Sequence, residues 1–560
     1  MFALGRLGLL HSSIVFGLTI AAAVPGVFAA YELARRVRLP VSPGRLYTVL
    51  LVLVAVALVL DAVASTAPPS SADALVYHVE FPRRWLELHR IDDPFWNYAA
   101  FYPLGIETLY AQAMAVIGVG GVGSAMAAGS TASALHGLFA VLAVAAVFGF
   151  ARDLGGRVDA GILAAALFAL QGLVTWDSTS TFIDMGLVFF VVLAAWHALR
   201  FARSPTRPSA AFAGLAAGGA AGAKYIGPLA AAFVLLPLAI VALRRRNLAA
   251  LGWAGVLVAV AGGAWYVKNL VVTGNPVYPL LFGGRLWNNA AELWLHTSAT
   301  ATFPGTHTFP LRILILPLDL LVHGDQYDRG QYASTATLVL APFALVIRRS
   351  RELTMVALAV AGFLIMWWYS VPQVRYLLPA LAVLAAIAGA GIAPLIANRK
   401  ALRLFVLVVV CAGTLAWLAS SAALTRQLLP VAFGLEGREH HVQRLVGTYD
   451  ALQAIHKKIG DAPVGFAPSY TFIYWYPGPA ITLDVPEFEY QQSPETFRLR
   501  LRQEGVRYAV FWGGVTQLPP IAGCAKFVES FPGRYVTSRS RGTSKPLLLR
   551  LYSVRACYRN

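Results

Sequence analysis

Reactive side chains concentrate in residues 66–124, a stretch that lies between two apolar runs. Asp73 follows a proline pair at 68–69, Tyr77 and His78 come soon after it, and Glu107 lies in an amphipathic run. A positioned carboxylate can take a proton from a hydroxyl or an amine, which typically accelerates a reaction by about 10²–10⁴-fold. Asp73 and Glu107 are therefore the candidate catalytic residues, with Tyr77 and His78 as candidate substrate contacts. The alternatives are a helix cap for Asp73, a solvated helix face for Glu107 and a structural hydrogen bond for His78.

Two cations stand in apolar surroundings, where they could neutralise a negative charge that develops during a reaction. Lys224 ends the run Gly-Ala-Ala-Gly-Ala-Lys, and Arg375 follows an aromatic stretch at 367–369. Ionisable residues at the ends of membrane spans are usually functional, although snorkelling to the interface is the alternative. Asp184 could fix the base or a cation, or be a simple loop carboxylate. Lys268 and Arg285 are weaker candidates for substrate binding.

The segment between apolar runs at 269–333 is longer than a simple connecting loop usually is. It contains residues that could contact a substrate, among them Trp287, His323, Asp325, Tyr327 and Asp328. Ordinary packing of interfacial aromatic residues explains these residues equally well.

Membrane helices must position these side chains. The chain of 560 residues is 58% hydrophobic and only 13% charged, and its mean hydropathy is +0.63. Its apolar runs are mostly long enough to cross about 30 Å of hydrocarbon as helices. We predict an α-helical polytopic membrane protein of about twelve spans, near 8–33, 46–65, 125–150, 159–175, 182–200, 209–223, 226–243, 249–268, 334–348, 353–370, 374–396 and 402–424. Two amphipathic runs between the second and third spans, around 75–87 and 102–116, predict interfacial helices whose apolar faces lie in the lipid headgroups.

Basic residues set the orientation of these spans. Arginine and lysine clusters near 35–45, 152–157, 200–207, 244–246, 348–351 and 399–403 all fall on the same side of the predicted bundle. The positive-inside rule makes that side cytoplasmic. Residues 66–124 and 269–333, the first and second external segments, then lie on the opposite side. The net charge of +18 thus reflects short loops between spans. A nucleic-acid interface would instead gather basic residues on one folded face, so we predict no nucleic-acid partner.

The chain divides into a membrane region, 1–424, and an external domain, 425–560. Helical spacing at 449–459 and 494–504 alternates with strand-like patterns at 463–466, 480–483 and 505–512, which predicts a small soluble α/β domain. Cys524 and Cys557 both lie in this domain, where an oxidising compartment would permit a disulfide between them. Two unpaired buried thiols are the alternative.

The order of these motifs resembles the C-type superfamily of membrane glycosyltransferases, which includes protein O-mannosyltransferases and the transferase that adds aminoarabinose to lipid A. The resemblance extends over most of residues 60–395. It is carried by Ser71-Ala-Asp73-Ala-Leu-Val-Tyr77-His78, Tyr102-Pro103 with Glu107, Phe182-Ile-Asp184, Gly222-Ala-Lys224-Tyr225, Thr273-Gly-Asn-Pro-Val-Tyr-Pro279 and Arg375-Tyr-Leu-Leu-Pro379.

The resemblance implies inverting transfer of a monosaccharide from a polyprenyl-phosphate donor to a hydroxyl or amine on the external face. Asp73 would act as the base, while Lys224 and Arg375 would bind the lipid phosphate. The acceptor would be a cell-envelope glycan, lipid or protein. Composition rich in Ala, Arg and Gly indicates a bacterial inner membrane, with the external domain in the periplasm.

The sequence departs from the superfamily at one position, because Ala74 follows Asp73 where a second acidic residue is common. A metal-binding acidic pair is therefore doubtful there, so the sequence predicts no particular cofactor and leaves a divalent metal as the alternative. Asp92 and Asp93 could substitute for the pair, although capping or solvation of a loop explains them more simply.

Three other functions compete with transfer of one sugar. A lipid-linked oligosaccharide ligase or polymerase would show paired arginines in one large external loop. A transporter or flippase would place Lys224, Asp184 and Arg375 along a translocation path, but it has less use for a large external domain. In a scaffold, replacing Asp73 would leave any activity untouched.

Overall fold

The computed structural model describes residues 1–36, 44–284, 287, 310–396, 398–468, 471–483, 494–513, 521, 523–538 and 543–558. The helices of the membrane region are α1 (Phe2–Arg6), α2 (Ser12–Arg36), α3 (Arg45–Ala64), α4 (Glu80–Glu87), α5 (Gly105–Ile117), α6 (Gly121–Gly155), α7 (Val158–Ala169), α8 (Gly172–Ser178), α9 (Asp184–Arg203), α10 (Arg207–Ala223), α11 (Ile226–Arg244), α12 (Leu248–Gly262), α13 (Ala264–Thr273), α14 (Leu316–Val322), α15 (Thr335–Ile347), α16 (Arg351–Tyr369), α17 (Leu378–Ile396) and α18 (Lys400–Thr425).

Every predicted span coincides with a helix or with a pair of helices. Within the described residues, seven helices are individually long and apolar enough to cross a membrane, and nine spans result if each bent pair counts as one. The prediction of about twelve therefore exceeds what length and composition alone support. The difference lies in α2, α10 and α15, which are helical but have shorter or less apolar stretches.

Two predicted straight spans are bent in the structure. α7 and α8 meet at 70°, and α12 and α13 meet at 62°. At the first bend, the amide of Gln171 donates to Phe168 O at 2.8 Å and accepts from Ser334 N at 3.0 Å. A helix can break at membrane depth only where other groups satisfy the freed backbone, and Gln171 provides these bonds.

Close packing of small residues places Lys224 at the end of α10. Gly214, Gly218 and Gly222 recur at a spacing of four, and a Cβ atom on Gly214 would lie 2.5 Å from Ala254 O of α12. Small residues at this spacing let two helix backbones approach each other. α10 therefore lies directly against α12, and the chain turns at Lys224 into α11.

The first external segment folds into the two predicted helices, α4 and α5. A π-helical turn, Ala74–His78, precedes α4, and Pro82 lies in the first turn of α4, where a missing N–H is tolerated. The apolar face of α4 is covered by protein rather than by lipid headgroups, because Phe81 and Trp85 are buried and the Trp85 ring stacks on Trp265.

A five-stranded sheet follows the membrane region. Its strands are β1 (Val464–Ala467), β2 (Ala480–Thr482), β3 (Tyr508–Trp512), β4 (Lys526–Ser538) and β5 (Thr543–Ser553), in the order β2-β1-β3-β5-β4. Helices α19 (Leu429–Ala432), α20 (Arg438–Leu445), α21 (Tyr449–Ile459) and α22 (Pro494–Gln503) accompany the sheet. The sequence analysis located α21, α22 and the first three strands but missed the β4–β5 hairpin. A disulfide joins Cys524 and Cys557 at the base of that hairpin.

Arg83 fastens this domain to the first external segment. Its Nη1 donates to Tyr474 O at 3.1 Å and to Tyr476 O at 3.3 Å, and its Nη2 lies 3.2 Å from a Glu80 carboxylate oxygen. The Arg83 side chain is 10% exposed. A buried cation with three acceptors joins α4 to the external domain at a point where water cannot replace its bonds.

We predict that Arg83→Met lowers the free energy of unfolding by about 3 kcal/mol. The change leaves Glu80 and two carbonyl groups buried without a donor. Thermal unfolding in detergent should show the loss, and limited proteolysis should release the external domain faster. Arg90→Met, at an exposed position of the same segment, is the matched control. Equal stability of both variants would contradict this account of the junction.

Candidate active site

An ion pair between Asp73 and Arg375 is the centre of the site. Nη2 of Arg375 lies 2.5 Å from Oδ2 of Asp73. Asp73 precedes the π-helical turn of the first external segment, and Arg375 lies in the turn that begins α17. The Arg375 side chain is 7% exposed whereas that of Asp73 is 32% exposed. The carboxylate therefore keeps an accessible side while the guanidinium is held inside the protein.

Several contacts fix the Arg375 guanidinium. Its Cζ lies 4.7 Å from the ring centroid of Phe182, and its Nε donates to Gln373 Oε1 at 3.1 Å. Cation–π contacts of this kind stabilise most when they are desolvated. Phe182 belongs to the Phe-Ile-Asp motif, so the α8–α9 connection supports the cation directly.

Three positive charges act on Asp73. Burial alone would raise the pKa of Asp73, but Arg375, followed by Lys224 and Arg329, outweighs burial and lowers it below its usual value. The carboxylate is therefore ionised at neutral pH, which is the state a proton acceptor needs.

Lys224 is paired with Asp184, as one of the two predicted roles for Asp184 required. Nζ of Lys224 lies 2.8 Å from Oδ1 of Asp184, and it lies 4.1 Å from the ring centroid of Tyr376. The Asp184 side chain is fully buried, and that of Lys224 is 14% exposed. Because Cζ of Arg375 lies 5.4 Å from the same ring, Tyr376 brings both cations to one location.

Glu107 is paired with His78 and does not lie on a solvated helix face. Nδ1 of His78 lies 2.6 Å from Oε1 of Glu107, and both side chains are almost fully buried. Burial disfavours both charged forms, so it lowers the pKa of His78 and raises the pKa of Glu107 well above its usual value. One proton is therefore shared between Oε1 of Glu107 and Nδ1 of His78. This geometry gives Glu107 a positioning role next to the centre, and a direct catalytic role stays a prediction.

Aromatic rings surround the Asp73 centre. The ring centroid of Tyr77 lies 4.0 Å from that of His78 and 6.0 Å from that of Tyr102. Burial, and then the charge of Asp73, raise the pKa of Tyr77, so its hydroxyl stays protonated and can donate a hydrogen bond. Such a wall, combining apolar rings and hydroxyl donors, suits a ligand with both apolar and polar faces.

Lys268 lies in a different environment from Lys224. Its Nζ donates to Ala100 O at 2.8 Å and lies 3.4 Å from Asp93 Oδ1. It therefore secures the loop before α5, and a substrate contact for Lys268 stays a prediction. Arg285 lies outside the described residues.

The alternative acidic pair is engaged by cations. Asp92 bonds to Arg84 at 2.8 Å, and Asp93 bonds to Arg6 at 2.6 Å. Within the described parts of the chain, no group of three or more His, Cys, Asp or Glu residues is arranged to hold a metal ion.

The structure adds residues that the sequence analysis missed. Arg329, from the second external segment, lies over the Trp176 ring at 4.5 Å and acts electrostatically on Asp73. Gln373 and Tyr376 contact Arg375 directly. The position of Tyr376 beside Arg375 in a quoted motif was a usable signal, whereas Arg329 and Gln373 have residue types that are common in any polar loop.

Buried polar pairs also join the membrane helices beneath the centre. His136 of α6 lies 3.1 Å from Asp177 of α8, and Ser178 donates to Asp61 of α3 at 3.1 Å. Polar side chains inside a membrane bundle pair with one another. These pairs fix α8, which leads into the connection that carries Phe182.

Comparisons with known proteins bear on the fold of this chain. The family model described as "Dolichyl-phosphate-mannose-protein mannosyltransferase" matches residues 123–278. The structure of ArnT from Cupriavidus metallidurans bound to undecaprenyl phosphate superposes with a TM-score of 0.54 at 16% identity, covering 89% of this chain and 97% of ArnT. The apo form of ArnT gives a TM-score of 0.53 at 16% identity, covering 90% and 97%.

This chain has the same fold as ArnT. The predicted fold resemblance and the multi-pass membrane architecture are therefore confirmed. The Archaeoglobus fulgidus oligosaccharyltransferase in its apo form gives a TM-score of 0.49 at 12% identity, covering 82% of this chain and 69% of that protein. A comparison with curated protein sequences gives no match.

We predict different outcomes for two substitutions of Glu107. Glu107→Gln should change the free energy of unfolding by less than about 1 kcal/mol, because the amide can donate to a neutral His78. Glu107→Leu should cost about 1–3 kcal/mol, because it leaves His78 Nδ1 buried without a partner. Thermal unfolding at pH 7 measures both. Equal stability of Glu107→Leu and Glu107→Gln would show that Glu107 does not stabilise the protein through its hydrogen bond to His78.

Proposed function

We propose that this protein is an inverting membrane glycosyltransferase that transfers a monosaccharide from a polyprenyl phosphate to an acceptor hydroxyl or amine. One observation carries the proposal: an ionised, partly accessible carboxylate, Asp73, contacts a buried guanidinium, Arg375, with Lys224 close by. Transfer from a lipid phosphate requires both a base and cations in one place.

Arg375 and Lys224 are suited to the donor phosphate. A guanidinium can bind two phosphate oxygens at once, and an ammonium adds a point charge. Both cations lie against the Tyr376 ring, at 5.4 Å and 4.1 Å, so one phosphate group could contact both. As the bond between the anomeric carbon and the phosphate oxygen breaks, its electron pair passes to that oxygen, and the two cations stabilise the new charge.

Asp73 is suited to the acceptor. In the proposed step, its carboxylate takes the acceptor proton while the acceptor oxygen or nitrogen bonds to the anomeric carbon from the side opposite the phosphate. The ion pair with Arg375 makes Asp73 a weak base before the donor arrives. When the phosphate attracts the guanidinium, Asp73 loses part of that stabilisation, its pKa rises and it becomes a stronger base.

The cellular setting follows from charge and composition. Basic loops on one side support a cytoplasmic assignment for that side, and the disulfide of the external domain suits an oxidising compartment. We therefore propose the bacterial inner membrane, with the site and the external domain in the periplasm. The acceptor would be an envelope glycan, lipid or protein that reaches the site from there.

We predict that Asp73→Asn reduces sugar transfer about 10²–10⁴-fold while donor binding persists. Transfer from radiolabelled polyprenyl-phosphate monosaccharides in membranes measures the first quantity, and undecaprenyl phosphate binding to the purified protein measures the second. Asp461→Asn, at an exposed position of the external domain, is the matched control. Undiminished transfer by Asp73→Asn would remove Asp73 as the base, and no turnover by wild type across a broad donor and acceptor panel would contradict the transferase function.

We predict that Lys224→Met weakens undecaprenyl phosphate binding by about tenfold or more, because it removes a desolvated charge–phosphate bond. Lys400→Met, at an exposed site on the basic side, should leave binding unchanged. Titration of the purified variants measures both. Unchanged affinity in Lys224→Met, with folding intact, would assign Lys224 to structural pairing with Asp184 alone.

A further inference from the structure

A continuous chain of hydrogen bonds links the second external segment to the reacting centre. Nε2 of Gln373 donates to Asp328 Oδ2 at 2.6 Å, and Oε1 of Gln373 accepts from Arg375 Nε at 3.1 Å. Nη2 of Arg375 then contacts Asp73 at 2.5 Å. Asp328 lies just before α15, whereas Asp73 lies after α3. The hydrogen bonds therefore join two separate external segments.

The groups on either side of Gln373 in this hydrogen-bond chain call for an amide at position 373. Gln373 faces a carboxylate on one side and a guanidinium on the other, so it must donate to Asp328 and accept from Arg375. An amide side chain offers both groups on one carbon atom, whereas an ionised carboxylate only accepts. A glutamate would keep the bond to Arg375 but would repel Asp328, and a leucine would keep neither.

Backbone contacts fix the point from which the Gln373 side chain extends. Nε1 of Trp367 donates to Gln373 O at 2.9 Å, and Tyr376 N donates to the same carbonyl at 3.1 Å. Trp367 is fully buried in α16. The amide can therefore act as a rigid spacer between Asp328 and Arg375.

At the Asp328 end of the hydrogen-bond chain, the backbone has an unusual conformation. Asp328 and Arg329 both have left-handed backbones, with φ of 52° and 72°. A non-glycine residue in this conformation is strained, and it persists only where surrounding contacts impose it. Here Asp328 bonds to Gln373 and Arg329 lies over Trp176, so the strained pair aims both side chains at the site.

We propose that Gln373, itself fixed by Asp328, is a positioning residue that holds the Arg375 guanidinium in the orientation that serves both Asp73 and the donor phosphate. The roles of Asp73 and Arg375 in this statement rest on the proposed transferase function. The hydrogen-bond chain couples Asp328 of the second external segment to the site, because movement of Asp328 would shift Arg375.

A double substitution that exchanges donor and acceptor tests the proposal. Gln373→Glu should reduce transfer about tenfold, because its carboxylate repels that of Asp328. Adding Asp328→Asn should restore most of the activity, because the asparagine amide can donate to the new glutamate. Gln326→Glu is the matched control, since Gln326 accepts a bond from Arg312 at 3.2 Å in the same segment. Loss of activity without rescue in the double variant would overturn the proposal.

A second measurement does not depend on transfer. Carbodiimide labelling of Asp73 as a function of pH, read by mass spectrometry, reports how firmly Arg375 holds the carboxylate. The charged and titratable groups that face Asp73 are Arg375, Lys224, Arg329, Tyr77 and Tyr102. Gln373→Leu should move half-maximal labelling to higher pH by about one pH unit, because a displaced guanidinium stabilises the carboxylate less.

The two measurements separate the two hypotheses. If wild type transfers no sugar but Gln373→Leu shifts the labelling of Asp73, the proposed function fails and the positioning role stands. If Gln373→Leu retains the wild-type labelling profile, Gln373 does not position Arg375, whatever the activity. A purely structural role would lower the folded fraction equally at every pH and would not shift the profile.

Discussion

The ion pair between Asp73 and Arg375 is the constraint on which the rest of the site depends. A guanidinium at the entrance of a buried helix must be paired, because an isolated charge in a low-dielectric environment is very costly. Arg375 lies in the turn that leads into α17, whose side chains are almost all buried. The partner of Arg375 comes from an external segment. The pair therefore fixes that segment over the helix bundle and also places an accessible carboxylate beside a cation.

The fold surrounds this pair with supports of different kinds. Glycines on α10 bring Lys224 to the site, the α8–α9 connection puts Phe182 against the guanidinium, and Arg83 ties the external domain to α4. Each support acts by close packing or by a buried hydrogen bond, both of which restrict motion more than exposed ion pairs do. Rigid support of this kind keeps a charged site preorganised, and preorganisation is what electrostatic catalysis requires.

The sequence predicted what depends on local pattern and missed what depends on distant partners. Apolar runs located the helices, and Asp73, Lys224 and Arg375 were identified singly by residue type and surroundings. The Asp73–Arg375 pair was not predicted, because the two residues are 302 apart in sequence. The sequence suggested a cation as a partner for Asp184 but did not say that it is Lys224, 40 residues away. The break at Gln171 and the role of Gln373 were missed because ordinary amides reveal their function only through the groups they face. The β4–β5 hairpin was missed because most of its side chains are exposed, which leaves little alternation to detect.

The most direct test is an electron cryo-microscopy structure of the protein with undecaprenyl phosphate. The account predicts the phosphate within hydrogen-bonding distance of both Arg375 and Lys224, with the Asp73 carboxylate at least partly released from Arg375 and turned toward the space that the acceptor would occupy. A phosphate bound elsewhere, with the Asp73–Arg375 pair unchanged from the 2.5 Å contact seen here, would contradict it.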